Sequence, residues 1–383
     1  MAIELLLEEK NSVLIKSDDY LYPASIFYEK YNTISIVDIN KFTREKSEKA
    51  IELSKIMKDY YRNNNKEYLN NFYSRIRDID DYKITPEIEI PKDFDVKKST
   101  ILMPVMHELI ENSKKKYVPY IPGSSLKGAF RNAIRNYLFK MYSIKIESDS
   151  NKPLYIKNGV KKNFLDDLLF YQNYEKNDGV YKKMNASYDV FKFFEFTDFQ
   201  PQPINDYKLK IVKLSRKKRN NEDTKIQSYA IVPYSTTFYG RIGINKSLDY
   251  IIKHGNEKNI DEILKILSDI SGVEITKVNY NDMKDRVIEK MIDIVSNFYK
   301  KILDDEKLNY PAMPQSDKPI LLGFGGGIEE KTIISSMDEK SYNNAKNILH
   351  SRDTKLKLNE KRLPSTMWTI EGKKFGVLNM KIK

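Results

Sequence analysis

The chain has 383 residues, of which 40% are apolar and 31% are charged, so it is long enough for two domains and has a strongly polar surface. Its 66 basic residues exceed its 54 acidic residues by 12, which favours a polyanionic partner such as nucleic acid; a compositional bias toward lysine is the alternative explanation. The absence of cysteine excludes disulfides and thiolate metal sites, the three histidines form no metal motif, and no apolar run is long enough to span a membrane. We therefore expect a soluble cytoplasmic protein without a metal or another cofactor.

The first part of the chain is predicted to mix strands with one helical region. Alternating β-branched residues predict strands at 12–17 and 33–39, and residues from about 41 to 77 have the apolar spacing of a helix. Pro86 and Pro91 favour an extended segment after it. Strand-like pieces then lead into the segment YVPYIPGSSLKGAFRNAIRNYLF, which begins at Tyr117.

This segment predicts a turn followed by an amphipathic helix. Gly123 lies in the turn, and Ser124 or Ser125 is expected to cap the helix. One helix face carries the apolar residues Leu126, Phe130, Ala133, Ile134, Tyr137, Leu138 and Met141. A second face carries three cations four residues apart, Lys127, Arg131 and Arg135. A helix N-terminus attracts phosphates, so the segment predicts a phosphate-binding site; a capped helix with a solvated basic face is the alternative.

The segment resembles a nucleotide-binding loop, but its residue order differs from that of such a loop. A Walker A loop has glycine before the lysine and a serine or threonine after it. Here Gly128 follows Lys127, and Ala129 comes next. We therefore expect no nucleotide hydrolysis at this position.

The middle of the chain is predicted to be rich in antiparallel strands. The segment YDVFKFFEF at 188–196 predicts a strand with most of its phenylalanines in the core, and further strands are predicted at 208–215 and 226–244. The intervening basic run contains Arg216, Lys217 and Lys218. Such a run is either a solvated loop or a clamp for an RNA phosphate backbone.

The last part of the chain combines two helices with a glycine-rich segment. Helices are predicted at 259–272 and 285–303, and a final strand at 375–383. Between them, LLGFGGGIEEKTI contains four glycines and a lysine: Gly323, Gly325, Gly326, Gly327 and Lys331. Glycines allow positive φ and close approach of a ligand, while Ile328 excludes the dinucleotide fingerprint. A tight surface turn is the alternative.

Strands and helices alternate without a regular βα pattern, which predicts an α+β fold. We place a domain boundary after Pro201 and Pro203. The predicted domains are 1–205, with a helical insertion at about 41–77, and 206–383, with a helical segment at about 247–305 and the glycine-rich loop at 323–327.

Together, YIPGSSLKGAFRNAI and GFGGGIEEKTI resemble the RAMP superfamily of CRISPR-associated proteins. The order of PGSSLKGAFR, FEFTD, PYSTTFYGRI and GFGGG is similar to that in the fifth Csm subunits of type III-A effector complexes. The resemblance implies ferredoxin-like (RRM-like) domains and a non-catalytic subunit that caps the 3′ end of the guide RNA (crRNA). Its implied partners are the other Csm subunits, chiefly the backbone RAMP subunit, and host nucleases that trim the guide. Members usually open with a TPVHIG-like strand, which this chain lacks, so we expect a divergent or shortened first strand.

The predicted RNA contacts come from three parts of the chain. They are Gly123, Ser124, Ser125, Lys127, Arg131, Arg135, Arg216, Lys217, Lys218, Gly325, Gly326, Gly327 and Lys331. No catalytic or metal-binding residue is predicted. The alternative function is a metal-independent RAMP endoribonuclease that processes CRISPR precursor RNA, for which His107 would be the candidate acid or base. A nucleotide-binding protein is a third interpretation, which rests on the loop glycines alone.

Overall fold

The computed structural model describes residues 2–21, 23–30, 32–63, 71–92, 94, 101–111, 114–149, 152–162, 165–170, 176–177, 180–181, 189–218, 223–255, 257–304, 316–323, 337, 339–343, 366–370 and 374–383. No helix in these ranges is both long enough and apolar enough to cross a membrane.

The helices are α1 (Ile39–Glu45), α2 (Ser47–Asn63), α3 (Gly123–Met141), α4 (Asp166–Leu169), α5 (Lys246–His254), α6 (Glu257–Ser271) and α7 (Tyr280–Leu303). The strands are β1 (Ala2–Glu9), β2 (Lys16–Tyr20), β3 (Ile26–Lys30), β4 (Thr33–Ile36), β5 (Ile88–Glu89), β6 (Ile101–Pro104), β7 (Met106–Glu111), β8 (Lys114–Pro119), β9 (Lys145–Asp149), β10 (Lys152–Lys157), β11 (Val160–Lys162), β12 (Lys176–Asn177), β13 (Val180–Tyr181), β14 (Phe194–Phe196), β15 (Gln200–Pro201), β16 (Lys208–Lys218), β17 (Asp223–Tyr234), β18 (Thr237–Ile244), β19 (Pro319–Leu321), β20 (Thr366–Ile370) and β21 (Val377–Ile382).

The first sheet is antiparallel and has the order β14–β18–β1–β21–β19, with β15 also paired to β18. Helices α3 and α7 pack together and against this sheet. Taken along the chain, β1, α3, β14, β18, α7 and β21 form a βαββαβ unit whose strands lie in ferredoxin-like order. The predicted α+β class and ferredoxin-like fold are confirmed.

Strand β1 lies at the centre of this sheet. Its alternate residues Ile3, Leu5 and Leu7 are buried in the core shared with α3 and α7, because successive side chains of a strand point to opposite faces. The strand is eight residues long and pairs on one side with β18 and on the other with β21, the last strand of the chain. Strand β1 therefore pairs along both edges, although the sequence lacks the TPVHIG-like segment.

The second sheet has the order β2–β6–β17–β16–β5–β4–β3, and β20 pairs with β16. It is buried on both faces. Leu209 and Ile211 of β16 join one apolar cluster, while Val212 and Leu214 of the same strand join another on the opposite face. The predicted antiparallel pairing of 208–215 with 226–244 is confirmed for β16 and β17.

The predicted boundary at residue 205 falls between β15 and β16. In both large sheets, strands from the two sides of this position are neighbours: β1 pairs with β18, and β5 pairs with β16. A division into domains 1–205 and 206–383 stays a prediction, and any experiment on it must take these pairings into account.

The helical region predicted from about 41 to 77 contains α1 and α2, followed by a helical turn at 71–74, while residues 64–70 lie outside the described ranges. Its assignment as an insertion into a domain stays a prediction. The apolar side chains of this region form a separate small core around Phe42 and Tyr73. The strand predicted at 12–17 is wrong for its first four residues, because Val13 and Leu14 are buried in a connection and strand β2 begins only at Lys16.

The predicted helices at 259–272 and 285–303 are confirmed as α6 and α7, and α5 precedes them in the predicted helical segment. The aromatic segment is partly wrong as a strand. Val190–Phe193 is a 3-10 turn because the Asp189 side chain accepts a hydrogen bond from the N–H of Phe191, and only β14 is extended. Phe191 and Phe194 are buried as predicted.

Candidate nucleic-acid interface

Helix α3 begins at Gly123, where its N-terminus meets the turn between β14 and β15. The N–H of Gly123 donates a hydrogen bond to Oδ1 of Asp198 over 2.8 Å. A Cβ at residue 123 would lie 2.2 Å from the carbonyl oxygen of Phe196, so only glycine fits here. The predicted serine cap is wrong: Ser124 and Ser125 lie inside the first turn, and a carboxylate from a distant segment occupies the helix end.

The predicted apolar face of α3 is largely confirmed. Leu126, Phe130 and Ile134 are fully buried, as are Ala133 and Leu138, and Tyr137 is half-buried. Met141 is 48% exposed, which contradicts its predicted burial, because it lies in the last turn of the helix beyond the covering elements. This face anchors α3 against the first sheet and α7.

The three predicted phosphate-binding cations of α3 lie along one half-buried face and contact groups within the protein. The Nζ of Lys127 donates a hydrogen bond to the carbonyl oxygen of Phe194 over 2.7 Å. Burial lowers the pKa of Lys127. This lysine therefore contributes to joining α3 to β14.

Arg131 and Arg135 form an ion cluster with two aspartates. The guanidinium of Arg131 contacts Asp189 at 2.7 Å and Asp166 at 2.9 Å, and Nε of Arg135 lies 2.9 Å from the other oxygen of Asp166. Although burial opposes the charge, Asp189 and Asp166 hold the pKa of Arg131 above its ordinary value. Two positive and two negative charges balance, so these arginines are neutralised within the protein.

Two phenylalanines complete the surroundings of Arg131. Its guanidinium carbon lies 4.8 Å from the ring centre of Phe170 and 5.5 Å from that of Phe191. Planar guanidinium groups stack favourably on aromatic rings. The cluster thus ties α3, α4 and the 3-10 turn before β14 into one unit beside the PGSSLKG segment.

His107 lies next to the start of α3. Its Nε2 is 3.3 Å from Oδ2 of Asp198, and its ring stacks on Tyr120 with 3.5 Å between the ring centres. The His107 side chain is 34% exposed. The same carboxylate therefore contacts both the imidazole and the end of α3, and an imidazole held in this way is oriented for proton transfer.

The predicted basic run lies at the C-terminal end of β16, the first strand of the β16–β17 hairpin. Arg216, Lys217 and Lys218 belong to β16 and pair in register with Trp368, Met367 and Thr366 of β20. The interpretation of this run as a loop is wrong for these three residues, because their backbone pairs with neighbouring strands. Residues 219–222 lie outside the described residues.

The glycine-rich loop begins in a constrained position. Gly323 has a φ of +94°, and a Cβ there would lie 2.2 Å from the carbonyl oxygen of Leu14. This glycine is required both by its backbone angle and by close contact with the connection after β1. The predicted contacts Gly325, Gly326, Gly327 and Lys331 lie outside the described residues.

The sequence predicted the cations of this region but missed its acids. Asp166, Asp189 and Asp198 lie 31 to 75 residues from their partners on α3. Their only signal in the sequence is a position beside aromatic or apolar runs, in FLDDLLF, YDVF and FTDF. Within the described ranges, no group of three or more acidic or histidine side chains could hold a metal ion.

A model of the RAMP superfamily matches residues 102–327. Comparison with curated proteins returns no match. A chain from a cryo-EM structure of a Csm-crRNA-target RNA ternary complex of a type III-A CRISPR-Cas system is 16% identical, with a TM-score of 0.64 over 100% of both chains. A crystal structure of T.onnurineus Csm5 is also 16% identical, with a TM-score of 0.56 over 98% of this chain and 99% of that one. The likeness to these two structures is one of fold.

Proposed function

Because this chain belongs to the RAMP superfamily, we propose that it is a non-catalytic RNA-binding subunit of a type III-A CRISPR (Csm) ribonucleoprotein. The observation that carries this proposal is the end-to-end likeness of its fold to a chain from a Csm-crRNA-target RNA complex. In this role the chain caps the 3′ end of the crRNA and supports its maturation. It packs against other Csm subunits, chiefly the backbone RAMP subunit, while host nucleases trim the guide in the cytoplasm.

The residues of α3 have different roles in the proposed RNA binding. Ser124 is exposed beside the helix start and can reach a phosphate directly. Arg131 and Arg135 would have to exchange their aspartate partners for phosphate, which costs much of what the new contact provides. We therefore assign Ser124 and Ser125 to direct contact with the RNA backbone. Gly123, whose N–H donates to Asp198, and the cations Lys127, Arg131 and Arg135 are assigned to contacts that form only if RNA displaces their present partners.

The larger electrostatic contribution is assigned to the basic end of β16 and to the glycine-rich loop. Arg216, Lys217 and Lys218 place three consecutive cations on one strand. Gly325, Gly326 and Gly327 would let the RNA backbone approach closely, and Lys331 would add a further cation. Contacts of this kind hold phosphates and carry no sequence information.

A salt series on the full chain tests this assignment. Replacing Arg216, Lys217 and Lys218 together by alanine should reduce the slope of log K against log[salt] for single-stranded guide RNA by about 2, since each lost phosphate contact contributes about 0.7. The measurement is fluorescence anisotropy between about 50 and 200 mM salt.

The matched control removes three exposed cations from α2, namely Lys55, Lys58 and Arg62. It makes the same change in net charge, and we expect its slope to stay near that of the wild type. Equal slopes for both triple variants would refute the assignment of the β16 residues.

The pairing of His107 with Asp198 favours a second candidate function, that of a metal-independent endoribonuclease that acts on CRISPR precursor RNA. Incubation of the full chain with labelled repeat RNA in EDTA distinguishes the two functions. We expect intact RNA. Discrete cleavage that His107→Ala abolishes, while the melting temperature is unchanged, would instead establish the enzyme.

A further inference from the structure

The first sheet has a second face, opposite the one that α3 and α7 cover. It carries the alternate residues of β1 and their register neighbours on β18 and β21, because residues opposite each other in antiparallel strands share a face. Its half-buried or exposed members are Glu4, Leu6, Glu8, Thr237, Tyr239, Arg241, Lys381 and Lys383. We call this set the outer sheet face.

Positive charge is in excess on the outer sheet face. Arg241 contacts Glu4 at 3.0 Å, with Lys383 at 4.0 Å from the same side chain, and Glu8 lies 2.6 Å from Lys381. Lys10 lies 3.6 Å from Glu8 at its edge. Glu195 is exposed and pairs with Gly243 of β18, so it lies on the same side of the sheet as Arg241. Four cations thus meet three carboxylates, which leaves one positive charge for an anionic ligand.

The carboxylates of Glu4 and Glu8 are held in their charged form by these neighbours. A hydrogen bond from Tyr239 and the charge of Arg241 lower the pKa of Glu4, and a hydrogen bond from Lys381 lowers that of Glu8. Each carboxylate orients the cations around it. The acids therefore serve to fix the lysines and the arginine in place, and their own charge is compensated.

Tyr239 lies among these charges, with polar contacts to its hydroxyl and a lysine beside its ring. Its hydroxyl donates to Glu4 and accepts a hydrogen bond from Nε of Arg241 over 3.4 Å. The Nζ of Lys383 lies 5.1 Å from the ring centre. Leu6, the register partner of Tyr239 on β1, provides an apolar neighbour. A fixed aromatic ring flanked by cations is the arrangement on which single-stranded nucleic acids stack their bases.

The spacing of the cations suits a nucleic-acid backbone. Lys381 lies in β21, and Lys383 directly follows the strand, where its N–H donates a hydrogen bond to the carbonyl oxygen of Glu4. The two residues are two positions apart, so extended backbone places their side chains on the same side about 6.6 Å apart. Arg241 lies on the other side of β1, about 9.6 Å across two strand spacings. A strand of RNA can therefore contact Lys381 and Lys383 with its phosphates while a base reaches Tyr239.

We propose that the outer sheet face binds a single-stranded segment of RNA, with a base stacked on Tyr239 and phosphates on Lys381, Lys383 and Arg241. The proposal rests on the proposed RNA-binding function and adds a second contact region to it. A protein partner would need an acidic, flat surface here; RNA supplies both the negative charge and the flat ring that Tyr239 can stack with.

The test compares variants that separate the ring from its hydroxyl. Using the full chain and a fluorescein-labelled single-stranded RNA, we expect Tyr239→Phe to bind within about twofold of the wild type and Tyr239→Ala to bind about tenfold more weakly, because a stacked base is lost. Lys381→Ala with Lys383→Ala should also weaken binding and reduce the salt slope by about 1.4. Lys55→Ala with Lys58→Ala, which removes two exposed lysines from α2, is the matched control and should change neither the affinity nor the salt slope.

A measurement on the unmodified chain keeps the proposal testable if a variant misfolds. Ultraviolet cross-linking of the wild type to RNA containing 4-thiouridine should label peptides of β18 or β21. Wild-type RNA binding without such cross-links, or with equal affinity for Tyr239→Ala, overturns the proposal and leaves the proposed function standing. Loss of association with Csm subunits at unchanged RNA affinity would also overturn it. Absence of any RNA binding by the wild type would instead refute the proposed function itself.

Discussion

The ion cluster around Arg131 leads to a prediction that separates a structural role from an RNA-binding one. Arg131 contacts two carboxylates and lies over two phenylalanine rings while only 24% of its side chain is exposed. Replacing it with alanine leaves Asp189, which is 12% exposed, without its closest cation and removes the ring contacts. We expect Arg131→Ala to destabilise the fold before it affects RNA binding.

The size of the effect follows from the burial of these groups. Removing one partner of a fully buried ion pair costs about 3–5 kcal/mol, and partial exposure reduces this, so we expect a loss of about 2–4 kcal/mol in the free energy of unfolding. Arg131→Lys keeps the charge but loses the second hydrogen bond and the stacking, which gives a smaller loss of about 1 kcal/mol. The exposed pair of Lys49 with Glu52 sets the lower limit, with less than about 0.5 kcal/mol lost for Lys49→Ala.

Urea unfolding of the three variants, followed by circular dichroism, measures these differences. RNA affinity of each folded variant is measured in parallel by anisotropy. A free energy of unfolding for Arg131→Ala equal to that of the wild type, together with a strong loss of RNA affinity, would refute the structural role and indicate that the guanidinium binds phosphate.

Further predictions concern the backbone of α3 and a buried acid. Gly123→Ala should lower the free energy of unfolding by at least about 2 kcal/mol, because the new Cβ would collide with the carbonyl oxygen of Phe196. Gly128→Ala should raise the free energy of unfolding by about 1 kcal/mol, because no atom lies within 4 Å of its new Cβ and alanine favours the helix. Thermal melts of the two variants measure this difference. Burial raises the pKa of Glu9 from 4.5 to about 8. Between pH 4.5 and about 8, Glu9 therefore stays protonated in the folded state and is ionised in the unfolded state. The free energy of unfolding should fall as the pH rises through this range, by at most about 1.4 kcal/mol per pH unit. Urea titrations across this range should show that Glu9→Gln reduces the slope, and an unchanged slope would contradict this origin.

Local features of α3 could be predicted because they depend on neighbours along the chain. The spacing of Leu126, Phe130 and Ile134 predicts both the helix and its buried face. The cap could not be predicted, because serine is a common capping residue, whereas Asp198 is 75 residues from Gly123 along the chain and is brought to it by the tertiary fold.

The same limit applies to the sheets and to the cations. Strand β1 has its partners at least 229 residues away, since Glu8 pairs with Thr237, and no pattern within AIELLLEE identifies β18 or β21. The stripe of Lys127, Arg131 and Arg135 follows from helix periodicity, but its charge is compensated by aspartates that only tertiary packing brings near. A basic stripe in a sequence therefore predicts a helix face more securely than it predicts a phosphate site.

Nuclease footprinting of an assembled complex tests the proposed role most directly. The complex would be formed from guide RNA and the other Csm subunits, with and without this chain, and the guide nucleotides protected from a single-strand nuclease would be mapped. We predict that omission of the chain exposes the 3′ region while the rest of the guide stays protected. Protection of the 3′ region that does not depend on the chain would contradict its assignment as the 3′-capping subunit.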